Sequence, residues 1–106
     1  AMSKESFERA GNGLPPVHPG EILAGEMDVL GLSARALGEA LAVPPNRITT
    51  ILKGERSVSA DTALRLARFF GTSAKFWLNL QQEYDLKKVE QETGEAIRKS
   101  VRPHAA

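Results

Sequence analysis

Apolar residues recur at helical spacing in several stretches of the chain, and residues that start or stop helices bound each stretch. Ile22, Leu23, Met27 and Leu30 predict a first helix over 19–30. Pro19 stands in its first turn, where a missing N–H costs nothing, and Glu21 lies at the favourable end of the dipole. Gly31 ends it. Ser33 is a good N-cap for a short second helix that holds Leu37 and Leu41. Ala42, Val43, Pro44 and Pro45 follow, and proline cannot continue a helix but can open one. The third helix therefore starts at Pro45, turns Ile48, Ile51 and Leu52 inward, and closes at Gly54. Ser59 caps a fourth, with Asp61 in its first turn, Leu64, Ala67 and Phe70 on one face, and Gly71 at its end. Ser73 caps a fifth that carries Phe76, Trp77 and Leu80 and reaches Tyr84. Val89, Ile97 and Val101 predict a final helix with Gly94 inside it. No strand alternation competes.

The expected fold is all-α: a compact five-helix domain over 18–86, then a C-terminal helical extension and tail over 87–106. Residues 1–17, with Gly11, Gly13, Pro15 and Pro16, read as a flexible N-terminal tail.

Composition narrows the function classes. A chain of 106 residues with 42% hydrophobic content fits one small domain with a real core. No apolar run approaches the roughly 20 residues of a membrane span, and no basic-then-apolar leader is visible, so a cytoplasmic protein with no membrane partner is expected. Cysteine is absent, which excludes disulfides, thiolate zinc sites and a cysteine nucleophile. His18 and His104 are the two histidines and sit far apart, so neither a metal nor another cofactor is expected. No nucleophile–base pair or glycine-rich phosphate loop is visible, which argues against an enzyme.

The formal charge of +1 hides an asymmetry. Residues 19–30 carry Glu21, Glu26 and Asp28 and no cation. Residues 31–75 carry seven basic residues against three acidic ones, a balance of +4. An acidic first helix beside a basic middle suggests two surfaces for two kinds of partner.

The second and third helices, joined by a turn of about three residues, have helix-turn-helix spacing. With Ile48, Ile51 and Leu52 inward, Pro45, Asn46, Thr49, Thr50 and Lys53 face outward. The Asn46 amide, near the helix start, can pair bidentately with adenine. Thr49 and Thr50 can donate to bases or phosphates and offer methyls to thymine, and Arg47 can reach guanine or phosphate. Lys53, Arg56 and Ser57 at the far end, with Ser33 and Arg35 at the start of the second helix, suit phosphate contacts that hold the register. Taken singly, an asparagine in a first turn is as well explained by local backbone bonding. Taken together, in a basic segment, these residues point to double-stranded DNA.

Residues 33–54, SARALGEALAVPPNRITTILKG, resemble the helix-turn-helix of Xre/Cro (lambda-repressor-like) repressors. The wider stretch 17–86 resembles the HigA (VapI-like) antitoxins, through VHPGEIL at 17–23, ALGEALAV at 36–43 and LKGERSVSADTALRLARFFGTSAKFWLNLQQEYDL at 52–86. The resemblance implies a homodimer that binds the palindromic operator of its own operon and neutralises a small HigB/RelE-like toxin that cleaves mRNA. It places Pro45, Asn46, Arg47, Thr49 and Thr50 at base-reading positions, and Lys53 and Arg56 at backbone positions. A stand-alone Xre-type regulator without a toxin, and a protein-binding module without DNA affinity, are the alternatives.

Three positions depart from the family pattern. Pro44 replaces the usual Ser or Thr cap of the recognition helix, Ala42 stands where a turn glycine is common, and Gly38 where alanine is common. For dimer or toxin contacts the candidates are Glu21, Glu26 and Asp28, an acidic face suited to a basic toxin, with Trp77 and Tyr84. For Trp77 the favoured reading is a core residue that packs the fifth helix. His18 reads as a structural residue at the helix entry.

Overall fold

The computed structural model describes residues 15–105; most of the tail expected over 1–17 lies outside the described residues. Among the described residues five α-helices follow in order: α1 (Pro19–Leu30), α2 (Ala34–Leu41), α3 (Pro45–Leu52), α4 (Ala60–Phe70) and α5 (Ala74–Ser100). The described residues contain no strand.

Each boundary has a local chemical cause. The hydroxyls of Ser33, Ser59 and Ser73 accept the backbone N–H of Ala36, Thr62 and Phe76 and so satisfy an orphan donor at the starts of α2, α4 and α5. Helix α1 opens with a reciprocal box. His18 Nδ1 accepts from the Gly20 N–H at 2.9 Å, and the His18 N–H donates to Glu21 at 3.2 Å. Left-handed residues end three helices: Gly31 at φ 66°, Ala42 at φ 58° and Gly71 at φ 74°. Ala42 is the non-glycine residue with positive φ among the described residues.

The core gathers Leu23 and Met27 of α1, Leu37 and Leu41 of α2, Val43 of the turn, Ile48 and Ile51 of α3, Val58 of the loop that follows, Ala63 and Leu66 of α4, and Trp77 of α5. Trp77 is packed against Phe70 and Phe76, and its indole N–H donates to Thr72 Oγ1 at 2.9 Å, so its polar atom is not left unpaired. Two expected faces are rotated. In α4 the buried pair is Ala63 and Leu66, while Leu64 is 64% exposed. In α1, Leu23 and Met27 are buried, one turn apart, and Ile22 and Leu30 face outward.

The fifth and final predicted helices are one 27-residue helix. Nothing between Tyr84 and Glu95 breaks it, and it passes residue 86 without interruption. The apolar periodicity fades there because the helix has left the core and needs no buried stripe. Gly94 is tolerated inside it, covered by the Glu90 side chain. The helix contributes to an elongated shape, 52 × 31 × 25 Å.

Candidate nucleic-acid interface

The turn between α2 and α3 is built by close backbone approach. The Val43 N–H donates to the Gly38 carbonyl at 2.9 Å, and the Ala42 N–H to the Glu39 carbonyl at 3.2 Å. A Cβ at Gly38 would stand 3.0 Å from the Val43 carbonyl oxygen and 3.2 Å from Pro45 Cα. A side chain at 38 would need this turn to give by a few tenths of an ångström, whereas Ala42 adopts the left-handed conformation with a side chain.

Helix α3 starts without a capping side chain, because its N-cap is Pro44. Its first turn is held from outside. Arg47 Nη1 donates to Asp61 Oδ2 at 2.6 Å, and Arg65 Nε donates to the same oxygen at 2.9 Å. Arg65 Nη1 also reaches the Leu41 carbonyl at 2.8 Å and the Ala42 carbonyl at 3.3 Å. The hydrogen bonds from Arg65 and Arg47 hold the Asp61 carboxyl below the usual carboxylate range.

The far end of α3 is fixed from α5 and α1. The buried Gln81 accepts the Val58 N–H at 2.8 Å and donates to Asp85 at 2.9 Å. This anchors the loop that carries Lys53, Arg56 and Ser57. The Glu55 and Arg56 N–H groups donate to the Thr50 carbonyl at 2.9 and 3.2 Å. His18, 7% exposed, sits edge-on to Tyr84 with ring centroids 4.8 Å apart. Burial holds its imidazole below the ordinary histidine value, against the opposite pull of Asp85 and Glu21.

The sequence-derived residues sort by what already engages them. Pro45 and Asn46 are exposed, and no group among the described residues binds the Asn46 amide. Lys53 and Arg56 are exposed, with no ion pair on their side chains among the described residues, and Ser57 is exposed beside them. Ser33 is occupied as the α2 cap, and Arg35 lies 3.6 Å from Glu39 in a solvated pair. Thr49 and Thr50 are half-buried; Thr50 Oγ1 donates to the Asn46 carbonyl at 2.6 Å and Thr49 Oγ1 to the same carbonyl at 3.3 Å. Arg47 is committed to Asp61. Three expected base readers, Arg47, Thr49 and Thr50, thus have their polar groups turned to the protein, while Asn46 keeps its amide free.

Among the contact candidates, Glu21, Glu26 and Asp28 are exposed, and Glu21 also completes the α1 capping box. Trp77 is 1% exposed, so the contact role is corrected: its indole fills the core and offers no surface to a partner. Tyr84 is half-buried between His18 and Lys88, whose ammonium lies 5.8 Å from its ring centre. Sequence reasoning missed Arg65, Asp61 and Gln81 as the groups that fix α3. Their pairings span 14 to 24 residues, and no local pattern signals them. Among the described residues no group of three His, Asp or Glu side chains could hold a metal ion, and no helix is long and apolar enough to cross a membrane.

Comparison with known proteins agrees with this geometry. The model of a helix-turn-helix domain family matches residues 8–75. Virulence-associated protein I of Dichelobacter nodosus is 54% identical over 82 residues, which cover 76% of each chain. An addiction module antidote protein of the HigA family from Coxiella burnetii superposes with a TM-score of 0.84 at 54% identity, over 86% of this chain and all of that one. The Pseudomonas aeruginosa antitoxin HigA, solved with the higBA promoter, superposes with a TM-score of 0.81 at 42% identity, over 85% of this chain and 99% of that one.

Proposed function

The chain belongs to the helix-turn-helix family of HigA-type antitoxins, and on that premise we propose that it binds the operator of its own operon as a dimer, represses it, and neutralises a RelE-like mRNA-cleaving toxin in the cytoplasm. The observation that carries the DNA reading is the first turn of α3. It presents an exposed, unengaged Asn46 amide on a helix tied to α4 at its first turn by Arg47–Asp61 and packed against α1 at its last turn. A helix held this way can enter the major groove with its N-terminal residues against base edges. In this reading Asn46 pairs with adenine, Pro45 and the Thr49 methyl pack on neighbouring bases, and Lys53, Arg56 and Ser57 hold phosphates with Ser33 and Arg35 across the groove. Arg47 and Thr50 serve the helix itself.

Two copies on one duplex would place their α3 helices about 34 Å apart, one helical turn, on a palindromic site. The exposed carboxylates of Glu26 and Asp28 suit the basic surface expected of an RNA-cleaving toxin. The relatives support both partners: one HigA was solved with the higBA promoter and another is called an antidote protein.

The test is competition binding on the DNA upstream of the protein's own gene, with a scrambled duplex as control, and capture of the adjacent gene's product from co-expression. Preference for the upstream DNA at two proteins per site, with co-purification of the toxin, is expected. Equal affinity for both duplexes would overturn the repressor reading, and failure to capture the toxin would leave a stand-alone regulator.

A further inference from the structure

The Arg47–Asp61–Arg65 cluster lies on the outside of the domain yet touches three elements at once. Every other helix among the described residues begins with its own capping side chain: His18 for α1 and Ser33, Ser59 and Ser73 for α2, α4 and α5. Helix α3 has none, and no acidic residue stands in its first turn. It carries instead a cation, Arg47, at the positive end of its dipole, where a carboxylate would be favourable. The missing anion comes from α4. Asp61 takes Arg47 with one carboxylate oxygen and Arg65 with the same oxygen, and Arg65 continues to the last carbonyl of α2. The path thus joins the end of α2 to the start of α3, across the turn that sets the angle between them.

We infer that Asp61 and Arg65 are positioning residues for base recognition, which act through Arg47 to fix the first turn of α3 without touching DNA themselves. The inference rests on the DNA-binding reading above. Ion pairs this exposed add little stability, since solvent screens them: the Asp61 side chain is 56% exposed. Their effect is on geometry. Asn46 adjoins Arg47 in the chain, and a bidentate amide–adenine pair tolerates displacement of only about 0.5 Å. Loss of Asp61 would also remove a negative charge from a face that meets phosphates, and so would raise affinity for any duplex.

The two effects have opposite signatures, which makes them separable. Operator and scrambled duplexes are titrated with the full chain and with Asp61→Asn, Asp61→Glu, Arg47→Ala and the Asp61→Asn, Arg47→Ala double variant. The expected result is a melting temperature close to the parent and unchanged or tighter binding to the scrambled duplex. The operator preference falls about tenfold in Asp61→Asn and in Arg47→Ala. The double variant loses no more than either single one, and Asp61→Glu recovers part of the preference. An unchanged preference in Asp61→Asn overturns the inference, because the charge then acts only as long-range electrostatics. Multiplied losses in the double variant also overturn it, because Arg47 then contacts DNA on its own account. A parent protein with no operator preference refutes the DNA-binding reading instead. The positioning claim then has its own readout in the free protein: amide exchange at Arg47 and Ile48 is expected to quicken in Asp61→Asn, and unchanged exchange overturns it.

Discussion

Gly20 meets the backbone of Ile51 so closely that a Cβ at position 20 would lie 2.1 Å from the Ile51 carbonyl oxygen. The first turn of α1 therefore packs directly on the last turn of α3, backbone to backbone, and sets how far α3 can tilt. The opposing atom belongs to the main chain and cannot swing away.

Gly20→Ala is accordingly expected to destabilise the domain, although alanine in a helix is ordinarily better than glycine by about 1 kcal/mol. Overpacking of a fixed contact costs about 1–3 kcal/mol or more. A melting temperature lowered by about 10 °C is the expected net outcome. A raised one would show that α1 and α3 separate freely.

Ala42 offers the reverse case. Its left-handed backbone, φ 58°, costs an alanine about 1–2 kcal/mol. Glycine removes that strain and returns about 0.5–1 kcal/mol of unfolded-state entropy. Ala42→Gly is expected to stabilise by about 0.5 kcal/mol, measured by denaturant unfolding, as the difference of these figures. Clear destabilisation would mean that the Ala42 methyl makes a contact worth more than the strain.

The sequence carried most of the frame and the structure supplied the ties. The five starts and three of the ends were legible because they rest on local chemistry: Ser33, Ser59 and Ser73 as caps, Pro19 and Pro45 at first turns, and Gly31, Gly54 and Gly71 at or just past helix ends. The rotated faces of α1 and α4 were not, because Leu64 and Ile22 are apolar residues left on the surface, and periodicity alone does not say which apolar residues are covered. The continuity of α5 was hidden by its polar stretch after Tyr84. In the candidate interface, the outward placement of Asn46, Lys53 and Arg56 was readable from the inward Ile48 and Ile51. The engagement of Arg47 by Asp61, and of the Thr50 hydroxyl by the Asn46 carbonyl, depends on tertiary contacts and on rotamers that spacing does not encode.

His18 makes stability depend on pH. Its Nδ1 accepts the Gly20 N–H, which only an unprotonated nitrogen can do, and burial lowers its pKa from 6.5. The unfolded chain then binds the proton more readily than the folded one. The stabilisation is complete above about pH 6.5 and is lost progressively as pH falls below it. Melting curves from pH 8 to 5 should decline in the parent and flatten in His18→Asn, which keeps a capping side chain without a titrating one. An equal decline in both would assign the effect to other groups.

Arg56 tests the register of the phosphate contacts. Its guanidinium is exposed on a loop tied down at Val58 by Gln81. Arg56→Ala is expected to weaken operator and scrambled duplexes alike and to lower the slope of log affinity against log salt by about one. An unchanged slope would remove Arg56 from the phosphate set.

The central claim is that α3 reads bases through Asn46, and the most direct test compares the parent with Asn46→Ala on the upstream DNA and on a scrambled duplex across a salt series. The expected result is a loss of about 1–3 kcal/mol on the upstream DNA, little change on the scrambled one, and the same salt slope on both. Equal losses on the two duplexes, or none on either, would contradict it.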